Sequence, residues 1–254
     1  MKIIRFVALA LTAFAIPLID TGVINAAELK VITNPGMKPV FEELSSQFER
    51  STGHKLVVKY GLFDQLKGLI DAGEFDVAVT TGAVVEYLTK QRKLADGTRV
   101  DIARVGIGVA IRTGAPKPDI STTEAFKRAL LNAKSISYTK GSTGGTYLAS
   151  LMERLGIAEE MKAKTKLMGG GGQNPKAVAS GEVELGLSNI ADILPVPGAE
   201  VLGLLPPELQ HYLVETAGVS VTVKDRAAAD TLLTFLKGPL AAAVFKAKGF
   251  EPVS

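Results

Sequence analysis

The 254 residues, 46% apolar and without tryptophan, suffice for one large core or two modest ones, and their composition argues against disorder. The absence of cysteine excludes disulfides, thiolate catalysis and thiolate metal sites. A formal charge of +3 without any basic run gives no reason to expect nucleic acid as a partner.

The chain opens with Lys2 and Arg5, then the apolar stretch "FVALALTAFAIPLI", then small residues in "INAAE". This is the three-part pattern of a secretory signal over residues 1–26, with cleavage expected after Ala26 or Ala27. The stretch is shorter than the roughly 20 residues that span a bilayer, and Pro17 lies near its end. A periplasmic mature protein is therefore expected.

After the signal, short apolar runs alternate with amphipathic segments. "LKVIT" reads as a buried strand, and "PVFEELSSQFERSTG" as a helix with Val40, Phe41, Leu44 and Phe48 on one face. Pro39 suits its first turn and Gly53 its end. "KLVVKY", "FDQLKGLIDAG" and "FDVAVT" continue as strand, helix and strand, which predicts a parallel sheet with right-handed crossovers. "VEYLTKQRKL" is another helix, and "RVGIGVAIRTG" a strand long enough to pass between lobes.

A second unit begins with helix "STTEAFKRALLNA", strand "SISYT" and helix "TYLASLMERLG". The four glycines of "MGGGGQNPKAVASG" stand directly before a further helix, and strand "VELGLSN" follows. "AEVLGLLP" and "YLVETAGVSVTV" read as strands, the second a return crossing, and two helices close the chain. The expected organisation is a discontinuous first lobe, residues 27–105 plus 212–254, and a second lobe of residues 106–211.

Several segments resemble the periplasmic solute-binding proteins of the molybdate-binding type. They are "FEELSSQFERSTGHKLVVKYGLFDQLKGLIDAGEFDVAV", "AIRTGAPKPDIST", "AVASGEVELGLSNIADI" and "TLLTFLKGPLAAAVFKAKGFEP". Their order and spacing carry the likeness across essentially the whole mature chain. The resemblance implies an α/β, two-lobed type 2 periplasmic-binding fold, each lobe a mostly parallel sheet flanked by helices, with two hinge strands. It also implies a small anionic ligand in the cleft and an ABC transporter permease as partner. The contact positions depart from those of molybdate binders. Gly36 stands where the first serine is expected, Leu62 and Phe63 where a serine pair is, and Asn189 where a tyrosine is. Leucine and phenylalanine offer no hydrogen bond to an oxyanion. An organic di- or tricarboxylate is expected in place of molybdate.

In open α/β sheets, ligands sit beyond the carboxyl ends of strands, where helix N-termini present free N–H groups. Four such places are readable, and they give the expected ligand contacts. The first two supply Thr33, Asn34 and Gly36, then Gly61, Leu62 and Phe63. "TKGSTGGTY" supplies Lys140, Ser142, Thr143, Gly144, Gly145 and Thr146; the tetraglycine run supplies Gly171, Gly172 and Gln173. Asn189 completes the set. Each loop also has a plain reading as a turn, and Lys140 as a surface lysine. Asp192 is expected to be a cap or a contact that stabilises the lobe.

His54 and His211 stand apart without nearby ligand partners, so no metal and no cofactor is expected. A monomeric binding protein is the leading expectation. The alternative is an enzyme on the same scaffold, an isomerase of a small unsaturated acid resembling aconitate isomerase. Its candidate bases are Lys140, Tyr138 and Asp64, and no catalytic pair is evident in the sequence.

Overall fold

A computed structural model describes residues 26–170 and 172–253. The expected signal segment up to residue 25, and Gly171, lie outside the described residues.

Strand β1 (Glu28–Thr33) passes through a 3-10 turn at Pro35–Met37 into helix α1 (Lys38–Thr52). The apolar stripe foreseen for α1 is the face that packs inward: Val40, Phe41, Leu44 and Phe48 are all fully buried. Gly53 ends the helix in the left-handed region, at φ 76°, its N–H returning to the carbonyl of Glu49. Next come β2 (Lys55–Tyr60), α2 (Phe63–Ala72), β3 (Val77–Thr81) and α3 (Gly82–Lys90). β1 pairs in parallel with β2 on one side and β3 on the other.

The long strand β4 (Val100–Arg112) leads into α4 (Thr123–Asn132), β5 (Ile136–Thr139) and α5 (Thr143–Arg154). Then follow α6 (Ala158–Lys162), β6 (Thr165–Met168), α7 (Gln173–Ser180), β7 (Leu185–Asn189), α8 (Ile190–Ile193) and β8 (Ala199–Leu204). Strand β9 (Tyr212–Val219) precedes α9 (Arg226–Lys237), α10 (Pro239–Ala247) and the short β10 (Glu251–Pro252).

All ten strands belong to one sheet, with main order β2-β1-β3-β9-β4-β7-β5-β6. The parallel pairing expected from the alternating pattern holds at both outer ends, where β5 also pairs in parallel with β6 and β7. The middle differs: β3 with β9, and β4 with β7, β8, β9 and β10, are antiparallel. The sheet is therefore mixed. Strand β9 arrives from β8 through only a 3-10 turn and inserts between β3 and β4, running against both.

Strand β4 joins the two halves by changing partner. Up to Gly106 it pairs with β9; from Ile107 onward it pairs with β7. The strands on either side of this exchange point their carboxyl ends, and the helix starts that follow them, toward a common space.

Candidate functional site

A cavity of about 110 Å³ occupies that space. Its wall is made at the starts of helices. From one half of the sheet come Asn34 and Gly36, then Gly61, Leu62 and Phe63, then Thr80 and Thr81. From the other come Gly141 to Gly145, Gly170 and Gly172, and Ser188 with Asn189. At the start of α2 the Gln65 side chain accepts from the Leu62 N–H at 2.8 Å, and among the described residues no side chain caps α3 or α7; the first-turn N–H groups left over carry the positive end of the helix dipole.

The turn from β5 into α5 shows how tightly the backbone is drawn in. Ser142 caps the helix by accepting from the Gly145 N–H at 2.9 Å, while its own hydroxyl donates to the Thr139 carbonyl at 3.1 Å. A Cβ on Gly145 would lie 1.8 Å from that carbonyl oxygen. Glycine is the only residue that fits. The hydroxyl of Thr143 meets that of Thr81 at 3.0 Å, a hydrogen bond between the two halves of the sheet. Thr146 is exposed and donates back to the Ser142 carbonyl at 3.1 Å. The three hydroxyls expected to face a ligand are thus engaged within the protein.

The rest of the wall is largely apolar. Leu62 and Phe63 line it together with Ile32, Leu66, Ile107 and Leu213. Phe63 is held edge-on against Tyr87, ring centres 5.1 Å apart.

Several expected contacts fall elsewhere. Lys140 is exposed, and its side chain is not part of the wall. Asp64 is exposed on α2, and Tyr138 packs against the core, so none of the three candidate bases reaches the cavity. Strand geometry accounts for Tyr138 and helix geometry for Asp64, since the first turn of α2 directs Phe63 inward and its neighbour outward. Thr33 is fully buried, its hydroxyl without a hydrogen-bond partner among the described residues. Gln173 is exposed and accepts from the Gly169 N–H at 3.2 Å, beside a separate shallow surface depression. Asn174 does face the cavity, but its amide is spent on the fold, accepting from Ser137 and donating to the Leu187 carbonyl at 2.7 Å. Both histidines lie off the cavity: His54 accepts from the Ala27 N–H at 3.1 Å, and His211 stacks on Tyr147. Because the Lys140 ammonium does not line the wall, Lys140→Ala should leave ligand affinity, read by titration calorimetry, within about 0.5 kcal/mol, roughly a factor of two.

Two residues that the sequence did not mark as contacts dominate the electrostatics. Glu215, at 2% exposure in the middle of β9, and Asp192, on α8, both line the cavity. They are the only titratable side chains in its wall among the described residues. Asn34 Nδ2 donates to Glu215 Oε2 at 2.8 Å, and Ser188 Oγ donates to Asp192 Oδ2 at 3.3 Å. Burial pushes Glu215 up to about 8; the Asn34 bond opposes this, and the negative charge of Asp192 adds to it. Burial likewise raises Asp192 to about 6, against hydrogen bonds from Ser188 and Asn189. The two belong to opposite halves of the sheet, with the segment of Asn34 and Gly36 between them: Asn34 bonds Glu215, and Gly36 adjoins Asp192. A Cβ on Gly36 would lie 3.1 Å from both Asn34 Oδ1 and Asp192 Oδ1. A lone glutamate inside the apolar run "YLVETAGV" was the available signal for Glu215.

Residues 29–251 match the family model described as bacterial extracellular solute-binding protein. The chain belongs to this family. Among solute-binding proteins and their relatives, it is 29% identical to an aconitate isomerase from a Pseudomonas species over 232 residues, 89% of this chain and 88% of the relative. It is 26% identical to the molybdate-binding protein ModA of Azotobacter vinelandii over 233 residues, covering 89% and 90% of the two chains. The solved structure of a periplasmic molybdate-binding protein from Azotobacter vinelandii superposes with a TM-score of 0.71 at 22% identity, covering 89% of this chain and all of that one. The fold is that of the periplasmic binding proteins.

Proposed function

We propose that this solute-binding protein captures a small organic di- or tricarboxylate in the periplasm and presents it, as a monomer, to an ABC transporter permease. The observation that carries this reading is the make-up of the cavity wall. Helix-start amides supply the anion-binding groups, whereas the hydroxyls of Ser142 and Thr143 are already bonded within the protein. Leu62 and Phe63 suit a carbon skeleton better than a bare oxyanion. The units 27–105 plus 212–254 and 106–211 would close on the ligand about β4 and β9. A protonated Glu215 would donate to a ligand carboxylate without adding charge to the cavity.

Thermal unfolding with citrate, trans-aconitate and molybdate tests the reading. A bound acid at a hundredfold excess over its Kd should stabilise the protein by about 2.7 kcal/mol. Stabilisation by molybdate alone would remove it.

A second reading, isomerisation of a small unsaturated acid, is favoured by the likeness to the aconitate isomerase and by two carboxyl groups facing one cavity. Here the ligand would be converted as well as held, and chromatography of trans- and cis-aconitate after incubation separates the two.

A further inference from the structure

We propose that Asp192 and Glu215 are a proton-exchanging pair that moves the double bond of an unsaturated di- or tricarboxylic acid held in the cavity. This rests on the second reading above and assigns its chemistry to named residues.

The pair enters from opposite halves of the sheet, Asp192 on the short helix after β7 and Glu215 in mid-β9. Such a placement can put one carboxyl at each end of a three-carbon allylic unit. Each is oriented by a neutral amide or hydroxyl, Asn34 for Glu215 and Ser188 for Asp192. Among the described residues neither forms an ion pair. A carboxyl kept for stability alone is poorly served by burial without a cation, since an apolar or amide side chain of the same size avoids the desolvation cost. Two such groups in one cavity mark a site that uses them. Their unequal environments leave the pair holding about one proton near neutral pH, one member an acid and the other a base.

The step balances without a co-reactant. Ionised Asp192 takes a proton from the ligand carbon adjacent to a carboxylate. The C–H electron pair becomes the new C=C bond. The electron pair of the old double bond takes up the proton that Glu215 delivers at the far carbon. Nothing is oxidised or reduced. Asp192 finishes protonated and Glu215 ionised; the reverse reaction, or proton exchange with solvent after product release, restores the pair. Charge developing on the ligand carboxylate faces the amides at the start of α5, a 12-residue helix.

The test is proton NMR of the mature protein incubated with trans-aconitate in deuterium oxide. Wild type should form cis-aconitate with deuterium entering from solvent, at a rate highest between about pH 6 and pH 8 and lower on either side. Glu215→Gln and Asp192→Asn should each lower kcat by about a hundredfold or more, while calorimetry finds trans-aconitate still bound within a few-fold. The two variants and the pH profile test the pair separately, so misfolding of one variant leaves the other measurements decisive. Wild type that binds trans-aconitate without converting it overturns this proposal and leaves ligand capture standing. Wild-type turnover by either variant also overturns it. Failure of wild type to bind trans-aconitate counts against both readings.

Discussion

Glu215→Gln is expected to raise the unfolding temperature by several degrees at pH 8 and to change it little near pH 4.5. The sign follows from which state holds the proton. In the unfolded chain the carboxyl ionises at its ordinary value of 4.5, whereas burial in the fold holds the proton up to about 8. Between these limits the unfolded state binds fewer protons than the native one, so stability falls as pH rises. Above about pH 8 both states are ionised and the loss levels off. A tenfold change in proton affinity corresponds to about 1.4 kcal/mol, so the displacement at Glu215 amounts to a few kcal/mol at the alkaline end. Glutamine does not titrate and can still accept from Asn34. Asp192 contributes a slope of the same sign between 3.8 and about 6 in wild type and variant alike. Denaturant unfolding at a series of pH values reads the difference directly. Curves that stay parallel from pH 4.5 to pH 8 would mean that Glu215 does not retain its proton in the fold.

Gly145→Ala should destabilise the protein by about 3 kcal/mol or more and abolish ligand binding, for a reason unconnected with charge. The added methyl would overlap the Thr139 carbonyl oxygen at 1.8 Å and crowd its carbon at 3.0 Å. Both atoms are backbone, so no side-chain rotation relieves the clash, and forced repacking of this kind costs about 1–3 kcal/mol and sometimes more. The turn would have to open. That would also break the Ser142 cap and move the Thr143 hydroxyl away from Thr81. Gly68 provides the contrast: it sits in α2, and a methyl group added there would have nothing within 4 Å. Gly68→Ala should therefore stabilise by up to about 1 kcal/mol through helix propensity. Equal effects of the two substitutions in chemical denaturation would contradict this picture of the β5–α5 turn.

The periodic segments were legible because burial writes its period into the sequence. Val40, Phe41, Leu44 and Phe48 marked α1, and all four are buried. The short pieces were less so: β6 has four residues with little burial, and α8 also has four, too few for a period to emerge. Strand direction in the middle of the sheet depends on which distant strand β9 meets, and nothing within "YLVETAGV" records that.

The loops around the cavity were readable for a similar reason, since glycine clusters at strand ends mark close backbone approach. Their side-chain roles were not. Ser142 and Thr143 looked like ligand hydroxyls, yet one caps its helix and the other reaches Thr81, 62 positions away in the sequence. The titratable pair was hidden for the same reason. Glu215 and Asp192 gain their chemistry from burial and from Asn34 and Ser188, and only the folded chain brings Glu215 and Asn34 together across 181 positions. Lys140 carried the charge that an anion site calls for, but the side chain following β5 points to solvent. In the proposed site, backbone amides at the helix starts take over that part, and the strand-to-helix turns of the sequence marked where they lie.

A crystal structure of the protein grown with trans-aconitate bears most directly on the central claim. The acid should lie enclosed in the cavity between the two halves of the sheet, its carboxylates on the N–H groups at the starts of α2 and α5 and its carbon chain between Phe63 and the carboxyls of Asp192 and Glu215. Electron density for the acid outside this cavity, or a cavity that takes up molybdate while excluding the acid, would contradict the account.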